Sequence, residues 1–285
     1  MGKKIVLMAM IVLLGTWFVF PAYFTLQTSF MTKFALVNPL TAWRHSSLGN
    51  WKMMPWGLLM GWLRNSLVVC GSLSVLTLLV CVAAGYGFAK FDFPMREPLF
   101  WLFLLAMIVP GSLLFLPRYL ITRDMGILNT HLAMILPLIL SPALVFLSRQ
   151  YLLSISDDLL DAARVDGASE AQIFRYIVLP LVKPLIVLAV LGGFSAGWGD
   201  FMWQYIVARN REIQTMTVGL GLFMMGSAGP SGSSLSPEFT ALLRQGVSLE
   251  GMQAVAAILQ SAPMLALFAF GQKYFLQGIK LGAPE

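Results

Sequence analysis

A chain that makes or breaks covalent bonds needs nucleophiles, acid–base groups or metal ligands at usable spacings, and this sequence offers few. His45 and His131 stand far apart with no ligand spacing around them. No Ser/His/Asp or Cys/His arrangement occurs, so neither a catalytic residue nor a metal site is expected. No G-x-x-x-x-G-K-[ST] phosphate loop is present, which excludes ATP hydrolysis by that route. Cys70 and Cys81 share a helix face about 16 Å apart, too far for a disulfide with each other, and read as small packing residues.

Two groups remain that could do physical work. The first is the most charged stretch, Ile155 to Pro180. Ser156 is suited to cap a helix whose first turn carries Asp157 and Asp158, with Ile155 stapling onto Leu160. Gly167 is suited to end that helix, and Ser169 with Gln172 to open a second through a capping box. Ile173, Phe174, Ile177 and Val178 fall on one face of the second arm, and Pro180 is expected to end it. The product is a helical hairpin, 156–180, whose small residues Ala162 and Ala163 permit close approach by another surface.

The second group is Asp200 with Trp203 and Gln204, which follow at helical spacing. Asp200 falls about 24 Å into an apolar segment, where an ionisable group is a functional candidate by default. A carboxylate capping a helix is the alternative. An indole beside hydrogen-bonding groups suits a sugar, with its apolar ring face and hydroxyl edge; a tryptophan in the interfacial belt is the alternative.

The elements that position these groups are membrane spans. Only 11% of the 285 residues are charged against 58% hydrophobic, whereas soluble domains carry about 25% charge. Apolar runs near the length of a span draw six helices, at about 5–23, 66–88, 98–116, 132–147, 184–206 and 252–274. The expected fold is all-α, a single polytopic domain. Pro137 and Pro142 interrupt the fourth span and could mark a broken helix lining a pathway. An even number of spans puts both termini on one side. Charge counting hardly orients them, with ten Lys and Arg on the terminal side and nine on the other, although Lys3 and Lys4 favour an inside N-terminus. Trp43, Trp51, Trp56 and Trp62 suit an interfacial segment, and 226–234 is a Gly/Ser-rich linker. The net charge of +6 is scattered singly between apolar runs, which argues against nucleic acid and for a bilayer.

Asp161-Ala162-Ala163, Gly167 and Ile177-Val178-Leu179-Pro180 stand at the spacing of the E-A-A…G…I-x-L-P pattern. On these residues the chain resembles the permeases of bacterial ABC importers, with Asp for Glu at position 161. Asp166-Gly167-Ala168-Ser169 and Leu179-Pro180-Leu181-Val182-Lys183-Pro184 are similar to the carbohydrate, maltose-type branch, as are Asn65-Ser66 and Lys90-Phe91-Asp92-Phe93-Pro94. Trp198-Gly199-Asp200-Phe201 departs from the W-N-D-F common in that branch.

The resemblance implies a permease of the inner membrane with both termini cytoplasmic, and a coupling helix formed by Asp161, Ala162, Ala163, Asp166, Gly167, Ala168, Ser169, Ile177, Leu179 and Pro180. It implies as partners a second homologous permease, an ATPase dimer that holds the ATP and Mg, and an extracytoplasmic solute-binding protein. The implied substrate is a sugar or oligosaccharide, with glycerol phosphate as the alternative solute. A secondary carrier or membrane scaffold is the rival from another class, but a carrier would show coupling acids and repeats. Here there is essentially one such acid and no repeat.

Overall fold

The computed structural model describes residues 2–32, 46–225 and 248–281. Trp43, His45 and the Gly/Ser-rich stretch from 226 lie outside them. Among the described residues the chain is helical, and its β pairing is a single bridge between Met31 and Ser46. Two compact units form: Met1–Met60 with Gly219–Pro263, and Gly61–Val218 with Met264–Glu285.

In the first unit, α1 (Gly2–Ser29) exposes its side chains from Lys3 through Phe24. That apolar surface is stable against hydrocarbon and not against water. Thr16 and Thr25 turn their hydroxyls back to the carbonyls four residues earlier, so these two hydroxyls are paired within the helix. Its far end is tied down by Asn50, from the short helix α2 (Gly49–Lys52). The buried Asn50 amide donates to Ser29 O and Met31 O, both at 3.0 Å, while its carbonyl accepts from Ser248 N. Ser248 Oγ donates to Met31 O and accepts from Gly251 N. A Cβ on Gly251 would strike the Asn50 amide, which is why glycine stands there.

The second unit is organised along the lower part of α3 (Trp56–Lys90). Next come α4 (Arg96–Ile108), α5 (Phe115–Asp124), α6 (His131–Ile135) and α7 (Pro142–Leu153). The hairpin's first arm is α8 (Asp157–Val165). Its second arm runs from α9 (Glu170–Ile173) through a π turn (Phe174–Val178) into α10 (Leu179–Leu181). Then follow α11 (Lys183–Gly199), α12 (Phe201–Val207) and α13 (Met216–Met225), and the chain closes with α14 (Leu249–Leu281).

The six-helix expectation needs correction in its details. Among the described residues, three helices are long and apolar enough to cross a membrane unbroken: Lys3–Ser29, Trp56–Lys90 and Glu250–Gln272. Two further helix pairs meet the same length and apolarity only when each is taken together across a bend, of 48° between His131–Leu138 and Pro142–Leu153 and of 85° between Glu170–Leu181 and Lys183–Gly199. The expected span at 98–116 is divided, because α4 stops at Ile108 before Pro110 and α5 starts at Phe115. Pro110 has no N–H to continue the ladder and its ring disfavours helix in the residue before it.

The bends have local causes. At the 48° bend Ser141 caps α7 through Leu144 N, and Pro142 fills the first helical position, where a missing N–H costs nothing. Cys81 lies against this break, its thiol near Ile139 O and Ser141 O at 3.7 Å. In the hairpin, Pro180 does not end the second arm: the helix continues to Leu181 and bends at Val182. The π turn just before Pro180 widens the ladder where the ring would otherwise meet the carbonyl four residues back.

Helix α3 and helix α11 meet through small residues. A Cβ on Gly193 would lie 2.8 Å from Ser74 Cα, and one on Gly197 would lie 3.1 Å from Cys70 Sγ. Such close backbone approach is how helices associate where no hydrophobic effect drives them together. Ser74 Oγ adds a hydrogen bond to Val190 O at 3.1 Å.

Candidate functional site

The hairpin is built as local rules dictate, apart from one cap. Ser156 takes the N-cap position with extended backbone but makes no side-chain cap bond. The N-terminal end of α8 is served instead by the charges of Asp157 and Asp158 in its first turn. At the other end Gly167 has φ +84°, with Gly167 N bonded to Arg164 O and Ala168 N to Ala163 O. This is a Schellman ending, and it needs the left-handed conformation that glycine adopts freely. Ser169 and Gln172 form the expected capping box.

The motif residues divide into two faces. Leu160, Ile173 and Val178 are buried, and Ile155, Ala163, Ala168, Phe174, Ile177 and Leu179 pack against the same core. Asp161, Ala162, Asp166, Gly167, Ser169 and Pro180 face outward. The outward side also presents Leu159, Val165 and Tyr176, the last two 87% and 68% exposed. A small-residue helix face with apolar side chains around it can enter another protein's groove.

Charges lock this shape. Arg164 bonds Asp161 at 2.6 Å and Glu170 at 2.7 Å, joining the two arms across the Gly167 turn. Glu170 and Asp161 push the Arg164 guanidinium further toward its charged form, and Arg164 holds the Glu170 carboxyl below the usual carboxylate range. Tyr86 OH donates to the second Glu170 oxygen at 3.2 Å. Lys90 Nζ lies 2.6 Å from Ile155 O and from Asp157 Oδ1, holding Asp157 below its ordinary pKa. Arg149 bonds Phe88 O and Glu97 and sits 4.0 Å over the Phe100 ring. Sequence reading had no means of pairing Tyr86, Lys90 and Arg149 with these partners.

The second candidate group takes a different form from the expected one. The helix breaks at Asp200, which stands between α11 and α12 with φ −85° and ψ 90°. One carboxylate oxygen caps α12 by accepting from Trp203 N at 3.0 Å, the capping alternative. Trp203 is buried, donates through Nε1 to Ala133 O at 3.0 Å, and meets Phe115 edge-on with the Arg118 guanidinium 5.4 Å from its ring. Gln204 is fully buried, donating to Gly197 O and accepting from Thr215 Oγ1. Thr217 Oγ1 donates to Trp198 O at 2.6 Å. Two carbonyls freed by the break, those of Gly197 and Trp198, therefore find partners inside the chain, as non-helical backbone at membrane depth requires. Asp200, Trp203 and Gln204 are brought together, but around the break rather than along one open face.

A further polar clasp lies near it. Asn65 donates to Glu212 O at 2.7 Å and Gln214 O at 3.0 Å, and Ser66 Oγ accepts from Met216 N at 2.8 Å.

Comparison with known proteins agrees with this architecture. Residues 53–281 match the model of the family described as binding-protein-dependent transport system inner membrane component. The chain is 36% identical over 224 residues to the arabinooligosaccharides transport system permease protein AraQ of Bacillus subtilis, covering 79% of this chain and 73% of that one. It is 33% identical to the lactose transport system permease protein LacG of Rhizobium radiobacter, covering 75% and 72%. With the sn-glycerol-3-phosphate transport system permease protein UgpE of Brucella abortus it shares 27% identity across 95% and 94% of the two chains. In fold it is similar to a chain of a bacterial ABC transporter involved in the import of the acidic polysaccharide alginate, with TM-score 0.81, 20% identity and 96% of each chain covered. With the family model spanning most of its length, the chain belongs to the binding-protein-dependent transport system inner membrane components.

Proposed function

We propose that this chain is one permease subunit of an ATP-driven importer and that it passes a sugar or oligosaccharide delivered by an extracytoplasmic solute-binding protein. The observation that carries the reading is the hairpin, folded by its own caps and charges, with its Asp161–Gly167 side exposed. It seats on an ATPase subunit, which holds the ATP and Mg; this chain binds neither. A second homologous permease completes the pair in the bacterial cytoplasmic membrane.

With the hairpin as the ATPase seat and six crossings, both termini are cytoplasmic; the crossing by 96–129 is supported by contacts toward the two ends of the second unit. Glu97 meets Arg149 near the Lys90 end of α3, whereas Asn129 bonds to Val207 and Arg209 toward the end where Asn65 grips residues 212–214. The segment from Arg96 to Asn129 thus traverses the unit in two helices. Within this reading Asp200, only partly buried, is the member of its trio that faces the pathway, while Trp203 and Gln204 hold the break in shape.

The relatives named for arabinooligosaccharides and lactose support a neutral sugar. The near full-length similarity to a glycerol-3-phosphate permease favours a phosphorylated polyol as the second reading. The test is uptake into vesicles holding the assembled importer, with labelled arabinooligosaccharide, lactose and glycerol 3-phosphate offered in turn with the binding protein. ATP- and binding-protein-dependent uptake of a saccharide is expected. Uptake of glycerol phosphate alone would select the second reading. Uptake independent of ATP would refute the importer.

A further inference from the structure

Helix α3 is gripped at two places along its length, and at the hairpin the contacts fall on Ile155, Asp157, Glu170 and Phe174, outside the exposed Asp161–Gly167 side. At one end, the Lys90 side chain is only 4% exposed and spends its ammonium on two hairpin groups, Ile155 O and Asp157 Oδ1. About one turn earlier, the buried Tyr86 holds Glu170, at the start of the second arm, and its ring lies 5.1 Å from Phe174. Both arms are therefore clamped to the same two turns of α3. Moving the hairpin away would strand a nearly dry ammonium, which is strongly disfavoured.

At the other end, Asn65 and Ser66 hold three backbone groups of the segment 212–216. The two grips are separated by about 35 Å of continuous helix, at 1.5 Å per residue. Between them Cys70 and Ser74 rest against Gly197 and Gly193 without room for a Cβ. The covalent routes out of the hairpin are more compliant: toward α11 the chain passes a π turn and an 85° bend, and toward α7 it passes the turn at 154–156. A displacement of the hairpin has a stiffer path through α3 than along the chain.

We propose that α3 is the rod that carries hairpin movement across the membrane. Tyr86 and Lys90 are positioning residues at its input, and Asn65 and Ser66 deliver the movement to residues 212–216. This rests on the reading of the hairpin as the ATPase seat. The segment 212–216 leads directly into α13, so its displacement is felt at the extracytoplasmic end of the helix break.

The test uses the assembled importer, binding protein included, with Glu212→Cys as reporter, since the Glu212 side chain is exposed and only its backbone is held. In the parent importer, ATP with vanadate changes the labelling rate at Glu212→Cys by about fivefold, the low end of an allosteric coupling. Lys90→Met combined with Tyr86→Phe abolishes that response, while Ser169→Cys remains shielded by the ATPase subunit. Lys90→Arg, which keeps the cation, restores the response. Tyr86→Phe alone, which deletes one hydroxyl from an otherwise intact fold, reduces it. A response at Glu212→Cys that survives the double variant, or is missing from the parent, overturns the rod and leaves the docking reading standing. Loss of Ser169→Cys shielding in the double variant overturns it too, because the clamp would then serve docking. An unshielded Ser169→Cys in the parent removes the docking reading and the rod together.

Discussion

Gly167 allows a prediction whose magnitude comes from backbone alone. Its φ is +84°, and a Cβ built on it meets nothing within 4 Å, so substitution creates strain without a clash. A left-handed conformation costs an L-residue roughly 1–2 kcal/mol. That shifts a two-state population about 5–30-fold away from the closed turn. If the ATPase subunit binds only the closed turn, apparent affinity falls by at most the same factor, because ligand affinity scales with the competent fraction. Gly167→Ala should therefore weaken ATPase binding measurably, by up to about 30-fold, in a titration of detergent-purified permease pair with ATPase. Gly167→Asn should recover much of it, since Asn tolerates this region, and Gly167→Val should be worse than Ala. Equal affinities for the Ala and Asn variants would refute backbone strain as the cause. A loss far beyond about 30-fold for Ala would equally refute it, by requiring a clash that is absent.

Other substitutions separate capping, packing and charge. Asp200→Asn should lower thermal stability little, because Asn caps as well as Asp, whereas Asp200→Ala should cost about 0.5–2 kcal/mol; equal loss would mean the carboxylate charge matters more than the cap. Asn50→Ala takes the Asn50 donor from the buried Ser29 carbonyl and one of two donors from the Met31 carbonyl, which keeps Ser248 Oγ, and should destabilise by about 1–3 kcal/mol in detergent unfolding, with a neutral result assigning the Ser29 carbonyl to water. Asp157 is held below its ordinary pKa by Lys90, so their pairing stabilises the hairpin above the unfolded carboxylate value and is lost as pH falls through the lower folded one. Protection of α8 against hydrogen exchange, corrected for the slower intrinsic exchange in acid, should therefore fall with acidity, and Lys90→Met should remove that dependence. For topology, an impermeant thiol reagent applied outside should reach Asp124→Cys and not Ser169→Cys; the reverse pattern would invert the orientation.

Sequence alone determined those features whose physical cause lies within a few residues. The Gly167 turn and the Ser169–Gln172 capping box were legible because their hydrogen bonds close over three to five residues. The all-α membrane architecture was legible because hydrocarbon requires each span to satisfy its own backbone bonds. Tertiary structure decided the rest. The fifth span looked continuous through Asp200, and its break is stabilised by Thr215 and Thr217, supplied from beyond the helix. Pro180 looked like a stop, but the π turn ahead of it absorbs the proline, and the bend moves to Val182. Trp203 and Gln204 share a helix face as their spacing required, yet packing against Ala133 and Gly197 turns that face inward. Lys90 and Tyr86 find their partners 65 and 84 residues away. Spacing along the chain carries no record of such distant pairs, which exist only once helices pack and a charge leaving water must find its counter-charge.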